Sequence, residues 1–251
     1  MREACVNYGF FHIANHGIPL NLLSKIMDMY KTFFTRSDGE KPSIPHNYLK
    51  STQNSADTYE HLLFRFSSSA FDANIKRMAS HFTNLGVVLE GIINECLGLP
   101  PDFLANYTND GSWNVLMDLH YVPATEADKL RKPTHEDPGF FNIISIAPSK
   151  DRLVVNIGDV IQVLSNNKFK SATHRVVRTS EINHYSSAYS YNLQGDKWVE
   201  PLPQFTAEIG GSPKYRRFYF EEYHQLRIRN RSHPPANPED FIHITHYLIS
   251  R

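Results

Sequence analysis

The chain has 251 residues, 41% of them hydrophobic, enough for one well-buried core. Lys plus Arg and Asp plus Glu both number 26, so the charge balance offers no footprint for nucleic acid or an anionic membrane surface. No apolar run reaches the roughly 18 residues of a membrane span, no secretory pattern opens the chain, and Cys5 and Cys96 lack Cys-x-x-Cys spacing, which points to free thiols in the cytoplasm.

Taken in order, Arg2 to Tyr8 reads as the end of a helix and Gly9 to Ala14 as a strand. From Pro19 onward, Leu22, Leu23, Ile26, Met27, Tyr30, Phe33 and Phe34 recur at helical spacing. Ser37 to Asp72 is polar and reads as a long surface loop, with a short strand at Tyr59 to Phe66. Ala73 to Leu97 carries one apolar stripe from Ile75 to Cys96, with Gly98 as a left-handed cap and Pro100 as a stop. A short helical turn is expected within Pro101 to Tyr107, and strands at Trp113 to Tyr121, Phe140 to Ile146 and Tyr185 to Asn192. An amphipathic helix is expected over Lys214 to Arg229, with Tyr215, Phe218, Tyr219, Tyr223 and Leu226 packed inward. Residues 1–112 form an N-terminal helical region on this reading, and residues 113–251 a strand-rich region closed by the C-terminal helix.

The chemistry concentrates between His135 and His174. His135 and Asp137 are two apart, so on a strand their side chains share one face, and Thr173 to Val177 is β-branched enough to form a neighbouring strand that brings in His174. Two histidines and a carboxylate on one face of a metal, with the other positions open, suit a non-haem Fe(II) oxygenase. The spacing alone is weak, because His-x-Asp arises by chance among 13 histidines. The same ligands would also serve a zinc hydrolase, although no additional general base is identifiable and no catalytic side chain beyond the ligands stands out.

Two blocks carry a family resemblance. Leu153 to Val176 (LVVNIGDVIQVLSNNKFKSATHRV) resembles the iron-binding block of the soluble plant 2-oxoglutarate- and Fe(II)-dependent dioxygenases, the group of flavonol synthase, leucoanthocyanidin dioxygenase and the gibberellin oxidases. Arg2 to Ile18 resembles the start of that family's N-terminal region, which has a leader and a first strand before this point, implying a shortened start here. The resemblance implies an α+β fold, a double-stranded β-helix (jelly-roll) with flanking helices spanning the Fe(II) and 2-oxoglutarate domain of residues 113–251. It implies Fe(II) held by His135, Asp137 and His174, with 2-oxoglutarate and O2 as co-substrates. A small organic metabolite of plant secondary metabolism would be hydroxylated or desaturated, with release of succinate and CO2. The implied partner is that small-molecule substrate, with no nucleic acid and no membrane.

The resemblance also assigns 2-oxoglutarate contacts to Tyr121, His184 and Ser186, and here the sequence departs from the family. Leu119 stands where an asparagine is usual, and His184 where an arginine grips the distal carboxylate. Guanidinium offers a permanently charged fork, whereas histidine is mostly neutral at pH 7. Arg178, with the same strand parity as His174, is the alternative cation. Nothing between Asp137 and Leu153 matches the family's glycine-rich strand pair, so one strand pair of the barrel is expected to be missing. A catalytically impaired relative that keeps the metal triad but grips 2-oxoglutarate poorly is the competing expectation.

Overall fold

The computed structural model describes residues 1–37, 39–41, 48–50, 59–65, 73–108, 110–125, 134–146, 151–207, 212–233, 235–237 and 240–249. Most of the expected loop between Ser37 and Asp72, and the Pro148 to Lys150 turn, lie outside these residues. The chain begins with α1 (Arg2–Asn7), β1 (Phe10–Ala14) and α2 (Leu20–Phe34), close to the boundaries expected from spacing. α2 buries the same seven apolar side chains that its periodicity singles out. β2 (Tyr48–Lys50) and β3 (Tyr59–Arg65) follow, then α3 (Ala73–Leu97), which ends at Gly98 with φ +76°, a conformation that glycine adopts without a Cβ clash.

The second half contains α4 (Ala105–Thr108), β4 (Val115–Tyr121), β5 (Phe141–Ile146), β6 (Arg152–Ile157), α5 (Asp159–Leu164), β7 (His184–Tyr191), β8 (Trp198–Val199), α6 (Pro203–Ala207), β9 (Phe218–Tyr219) and α7 (Phe220–Ser232). A 3-10 turn at Ile244–Tyr247 closes the described chain. α5 departs from the strand-like composition of Val160 to Leu164, and α7 starts six residues later than its sequence pattern predicts. Lys214 to Tyr219 instead pairs in extended form, Tyr215 with Leu248 and Phe218–Tyr219 with β8. The buried face of α7 also differs from the expected one. It carries Phe220, Tyr223, His224, Arg227 and Asn230, while Leu226 is exposed. Polar residues on that face hid it from a hydrophobic count.

Seven strands form one antiparallel sheet in the order β1-β6-β5-β7-β4-β3-β2, so strands from before residue 113 extend the sheet built by those after it. The register lines up Phe64, Leu116, Tyr189, Ile143 and Val155 in one row across the sheet, and each is 5% exposed or less. α2 and α3 cover this outer face: the Phe82 ring stacks on Tyr189 at 5.5 Å, and Thr83 Oγ1 meets the Tyr189 hydroxyl at 2.8 Å. One residue along, Leu63, Met117, Ala188, Ile144 and Val154 form the matching row on the inner face; Ala188 is buried and the other four are half-buried. A full second sheet would cover them. Outside the seven-stranded sheet, His135 and His174 form an isolated bridge and Ala124 N–H donates to the Thr179 carbonyl at 2.8 Å. The architecture is an antiparallel jelly-roll sheet with flanking helices; residues 126–133 and 147–150, on which the expected loss of a strand pair bears, lie outside the described residues.

Asp118 lies in the outer layer, fully buried, and accepts a hydrogen bond from Ser187. Burial pushes its carboxyl up to about 8. This folded-state value lies above the unfolded one of about 3.9, so the contribution to stability is full below about pH 4 and is lost as pH rises toward 8. Asp118→Asn should therefore exceed the parent in stability at pH 8 by about 1 kcal/mol or more, with the gap closing toward pH 5. Urea denaturation of both proteins at the two pH values checks this.

Candidate metal centre

An isolated bridge and the loop that follows it bring the predicted trio together. His135 and His174 face each other in an isolated antiparallel bridge, closed by reciprocal backbone hydrogen bonds of 2.9 and 2.8 Å. Asp137 follows in a loop rather than on the expected strand. His135 Nε2 lies 3.6 Å from Asp137 Oδ1, His174 Nε2 lies 3.5 Å from Oδ2, and one donor atom from each residue falls within 4.8 Å of the others. The alternation expected after the bridge is visible in exposure: His174, Val176 and Arg178 are half-buried, whereas Thr173, Arg175 and Val177 are exposed.

Two asparagines orient Asp137. Asn142 of β5 and Asn156 of β6 are directly opposed in the sheet and both project from its inner face. Their amides donate to Asp137 Oδ2, Asn156 at 2.7 Å. Oδ1 is left facing His135. On the other side His174 Nδ1 lies 3.0 Å from the Ala172 carbonyl. Donation there fixes the proton on Nδ1 and directs the Nε2 lone pair toward Asp137, the usual support for a metal-bound imidazole. Neither asparagine stands out by periodicity or motif in the sequence. The available signal was a lone amide inside each of two apolar strands, Phe-Asn-Ile-Ile and Val-Val-Asn-Ile, where a buried polar group requires a partner.

The loop itself rests on the Ile-Gly-Asp turn. Gly158 N–H donates to the Phe140 carbonyl at 2.9 Å, Asp159 N–H to Asp137 at 2.8 Å and Val160 N–H to Gly139 at 3.1 Å. These are orphan donors of the first turn of α5, which gain partners from the metal loop. Glu136, between His135 and Asp137 in the chain, points away from the trio as alternation requires. Burial raises its pKa, but hydrogen bonds from Thr173 and His243 outweigh that and hold it below the ordinary carboxylate range.

Tyr121, His184 and Ser186 lie together on the inner face. Tyr121 and His184 are directly opposed, with rings 5.8 Å apart, and Ser186 is the next inward residue of β7, opposite Leu119. Burial lowers the His184 pKa below its ordinary value, and its Nδ1 has no hydrogen-bond partner among the described residues. Arg178 reaches the same end of β4, where its Nη1 donates to the Val122 carbonyl at 3.1 Å.

Comparison with known proteins agrees with this geometry. The family described as non-haem dioxygenase in morphine synthesis N-terminal matches residues 1–79, and the 2OG-Fe(II) oxygenase superfamily matches residues 135–193, together more than half of the chain. The chain belongs to the 2OG-Fe(II) oxygenase superfamily. It is accordingly a 2-oxoglutarate-dependent dioxygenase by family, with Fe(II), 2-oxoglutarate and O2 as the reagents of its chemistry. Curated relatives of this oxygenase include 1-aminocyclopropane-1-carboxylate oxidase 5 of Arabidopsis thaliana, 28% identical over 94% of this chain and 90% of the relative. Jasmonate-induced oxygenase 1 of the same plant is 26% identical over 90% and 67%. Among solved structures, JOX2 in complex with 2OG, Fe and JA superimposes with a TM-score of 0.81 at 21% identity, covering 99% of this chain and 84% of that one. The dioxygenase for auxin oxidation in rice gives 0.73 at 20% identity, over 99% and 92%. At these identities the structures establish the shared fold.

A Cβ at position 158 would lie 2.2 Å from the Gly139 carbonyl oxygen. Gly158→Ala should therefore force the metal loop off the α5 turn and cost about 1–3 kcal/mol. Gly91→Ala, in α3 with open space around the added methyl, should instead stabilise by about 0.5–1 kcal/mol. Denaturant midpoints of the two variants against the parent test the pair.

Proposed function

We propose that this oxygenase oxidises a small organic metabolite, by hydroxylation or desaturation, at Fe(II) ligated by His135, Asp137 and His174. The observation that carries the proposal is the convergence of these three donors within 4.8 Å beside the half-open inner face of the sheet. Donors about 2.1 Å from one ion and at right angles stand roughly 3 Å apart, so the trio fits an ion with only a small closure of the side chains. When bound, the iron supplies activation of O2, with 2-oxoglutarate converted to succinate and CO2. Asn142 and Asn156 hold the carboxylate that meets the metal, and the Ala172 carbonyl holds the His174 tautomer. The half-buried Leu63, Met117, Ile144 and Val154 favour a substrate with an apolar body, which would gain about 25 cal/mol for each Å2 of surface it covers.

Tyr121, His184 and Ser186 are proposed to receive 2-oxoglutarate. They offer hydrogen-bond donors, and His184 Nδ1, without a hydrogen-bond partner among the described residues, would gain one from a bound carboxylate or water. A relative that keeps the metal but holds 2-oxoglutarate weakly is the second reading. It is favoured by one observation: burial keeps His184 neutral at pH values where an arginine would be charged.

Asp137→Ala should abolish stoichiometric Fe(II) binding measured under anaerobic conditions, and undiminished binding would remove the site. His184→Arg should tighten 2-oxoglutarate about tenfold to a hundredfold, the worth of one charged hydrogen bond. In the parent, binding should strengthen as pH falls, because protonation of His184 begins below its ordinary pKa; loss of protonated His184 as pH rises is the expected sign. Calorimetric titration with Mn(II) in place of Fe(II) reads both effects. Tight binding by the parent with no gain in the arginine variant assigns the carboxylate to Arg178 instead, and absence of binding in both favours the silent relative.

A further inference from the structure

Glu136 sits between the two proposed ligands His135 and Asp137, and three separate segments hold it. Thr173 Oγ1 donates to Oε1 at 2.5 Å and His243 Nδ1 lies 2.9 Å from Oε2. From α7, Arg227 Nη2 donates to the Glu136 backbone carbonyl at 2.6 Å and lies 3.7 Å from Oε2. The other terminal nitrogen, Nη1, is 3.7 Å from Asp159 Oδ2 and donates to the Tyr223 hydroxyl at 3.3 Å. That hydroxyl donates to Asp159 Oδ2 at 2.6 Å, and Asp159 N–H returns to the Asp137 carbonyl at 2.8 Å. The contacts form a closed ring through Glu136, Arg227, Asp159 and Asp137.

The ring is buried: Arg227 is 6% exposed, and Tyr223 and Asp159 are 0% exposed. Burying a guanidinium is costly, and an apolar side chain of similar size would pack the helix as well or better. An apolar side chain, however, cannot hold a carbonyl oxygen. Arg227 does so at the residue between the ligands, where rotation of one peptide plane would move the His135 and Asp137 side chains relative to each other.

We propose that Arg227 is a positioning residue for the metal centre: by tying the Glu136 carbonyl to Asp159 it fixes the peptide between His135 and Asp137 and so sets the spacing of their donor atoms. The proposal rests on the metal assignment made above for that trio. It gives the C-terminal helix a role in metal geometry although α7 contributes no ligand.

Anaerobic titration of the full chain with Mn(II), together with the absorption spectrum of the Co(II) form, tests it in Arg227→Met, Arg227→Lys, His243→Ala and Asp137→Ala proteins. Arg227→Met should weaken Mn(II) binding about tenfold to a hundredfold, the usual effect of losing an outer-shell support, and shift the Co(II) ligand-field bands. Arg227→Lys keeps the charge and a donor and should recover part of the affinity. His243→Ala, at a partly exposed position, should weaken Mn(II) binding severalfold. A folded Arg227→Met protein with parental affinity and an unchanged Co(II) spectrum overturns the proposal, even where its melting temperature falls. Should that variant not fold, the lysine variant decides: a single ammonium cannot span the Glu136 carbonyl and Asp159 together, so full parental affinity with an unchanged Co(II) spectrum in Arg227→Lys overturns it. Asp137→Ala separates the two levels: retained binding there defeats the metal assignment itself, whereas lost binding there with parental binding in Arg227→Met defeats only the role of Arg227.

Discussion

The centre depends on a carboxylate caught between two amides. Asn142 and Asn156 reach Asp137 Oδ2 together because the β5–β6 register places them opposite each other with both side chains on the inner face. A slip of one residue in either strand would turn its asparagine toward α2 and α3 and bring an apolar neighbour to the carboxylate. Half-buried Asp137 would then lose amide donors that its Oδ2 now accepts from. The hydrogen-bond ladder of the sheet therefore does more than hold the core. It aims the one acidic donor of the trio.

The two faces of the sheet divide the work. The outer row from Phe64 to Val155 is sealed by helices, and each fully buried side chain there contributes about 1.5–3 kcal/mol. That sealed layer lets the inner row remain half-open without loss of the fold. Tyr121, His184 and Ser186 lie on this same inner face, as do Asn142 and Asn156, which reach Asp137.

The polar face of α7 follows a different logic from that of α2. Seven apolar residues at helical spacing announce the buried side of α2. α7 instead buries Arg227, His224 and Asn230 beside Phe220 and Tyr223. Burial pushes Asp159 up to about 6 against the opposing effect of Arg227, a sign that the desolvation of these groups is only partly offset. Apolar packing would stabilise the helix at least as well; what these polar groups add is a set of fixed hydrogen bonds to Asp159 and to the Glu136 carbonyl.

The sequence by itself determined the elements whose side chains obey one period. α2, α3 and β7 are legible because burial on one face imposes a spacing of 3.6 or 2 residues. His135, Asp137 and His174 were legible for a related reason, since local parity together with the resembled motif names them without any knowledge of the sheet. Tertiary structure alone decided the rest. Asn142 and Asn156 are 14 residues apart in the chain and become partners only through strand pairing. Arg227 comes to Glu136 from 91 residues away. Val160 to Leu164 forms a helix despite its β-branched composition, because the N–H groups of its first turn find acceptors in the metal loop. Lys214 to Tyr219 is extended despite its helical pattern, because β8 and the C-terminal tail supply it with backbone partners. Local sequence sets the face that a residue shows, but a hydrogen-bond partner distant in the chain is fixed only when the whole fold brings the two together.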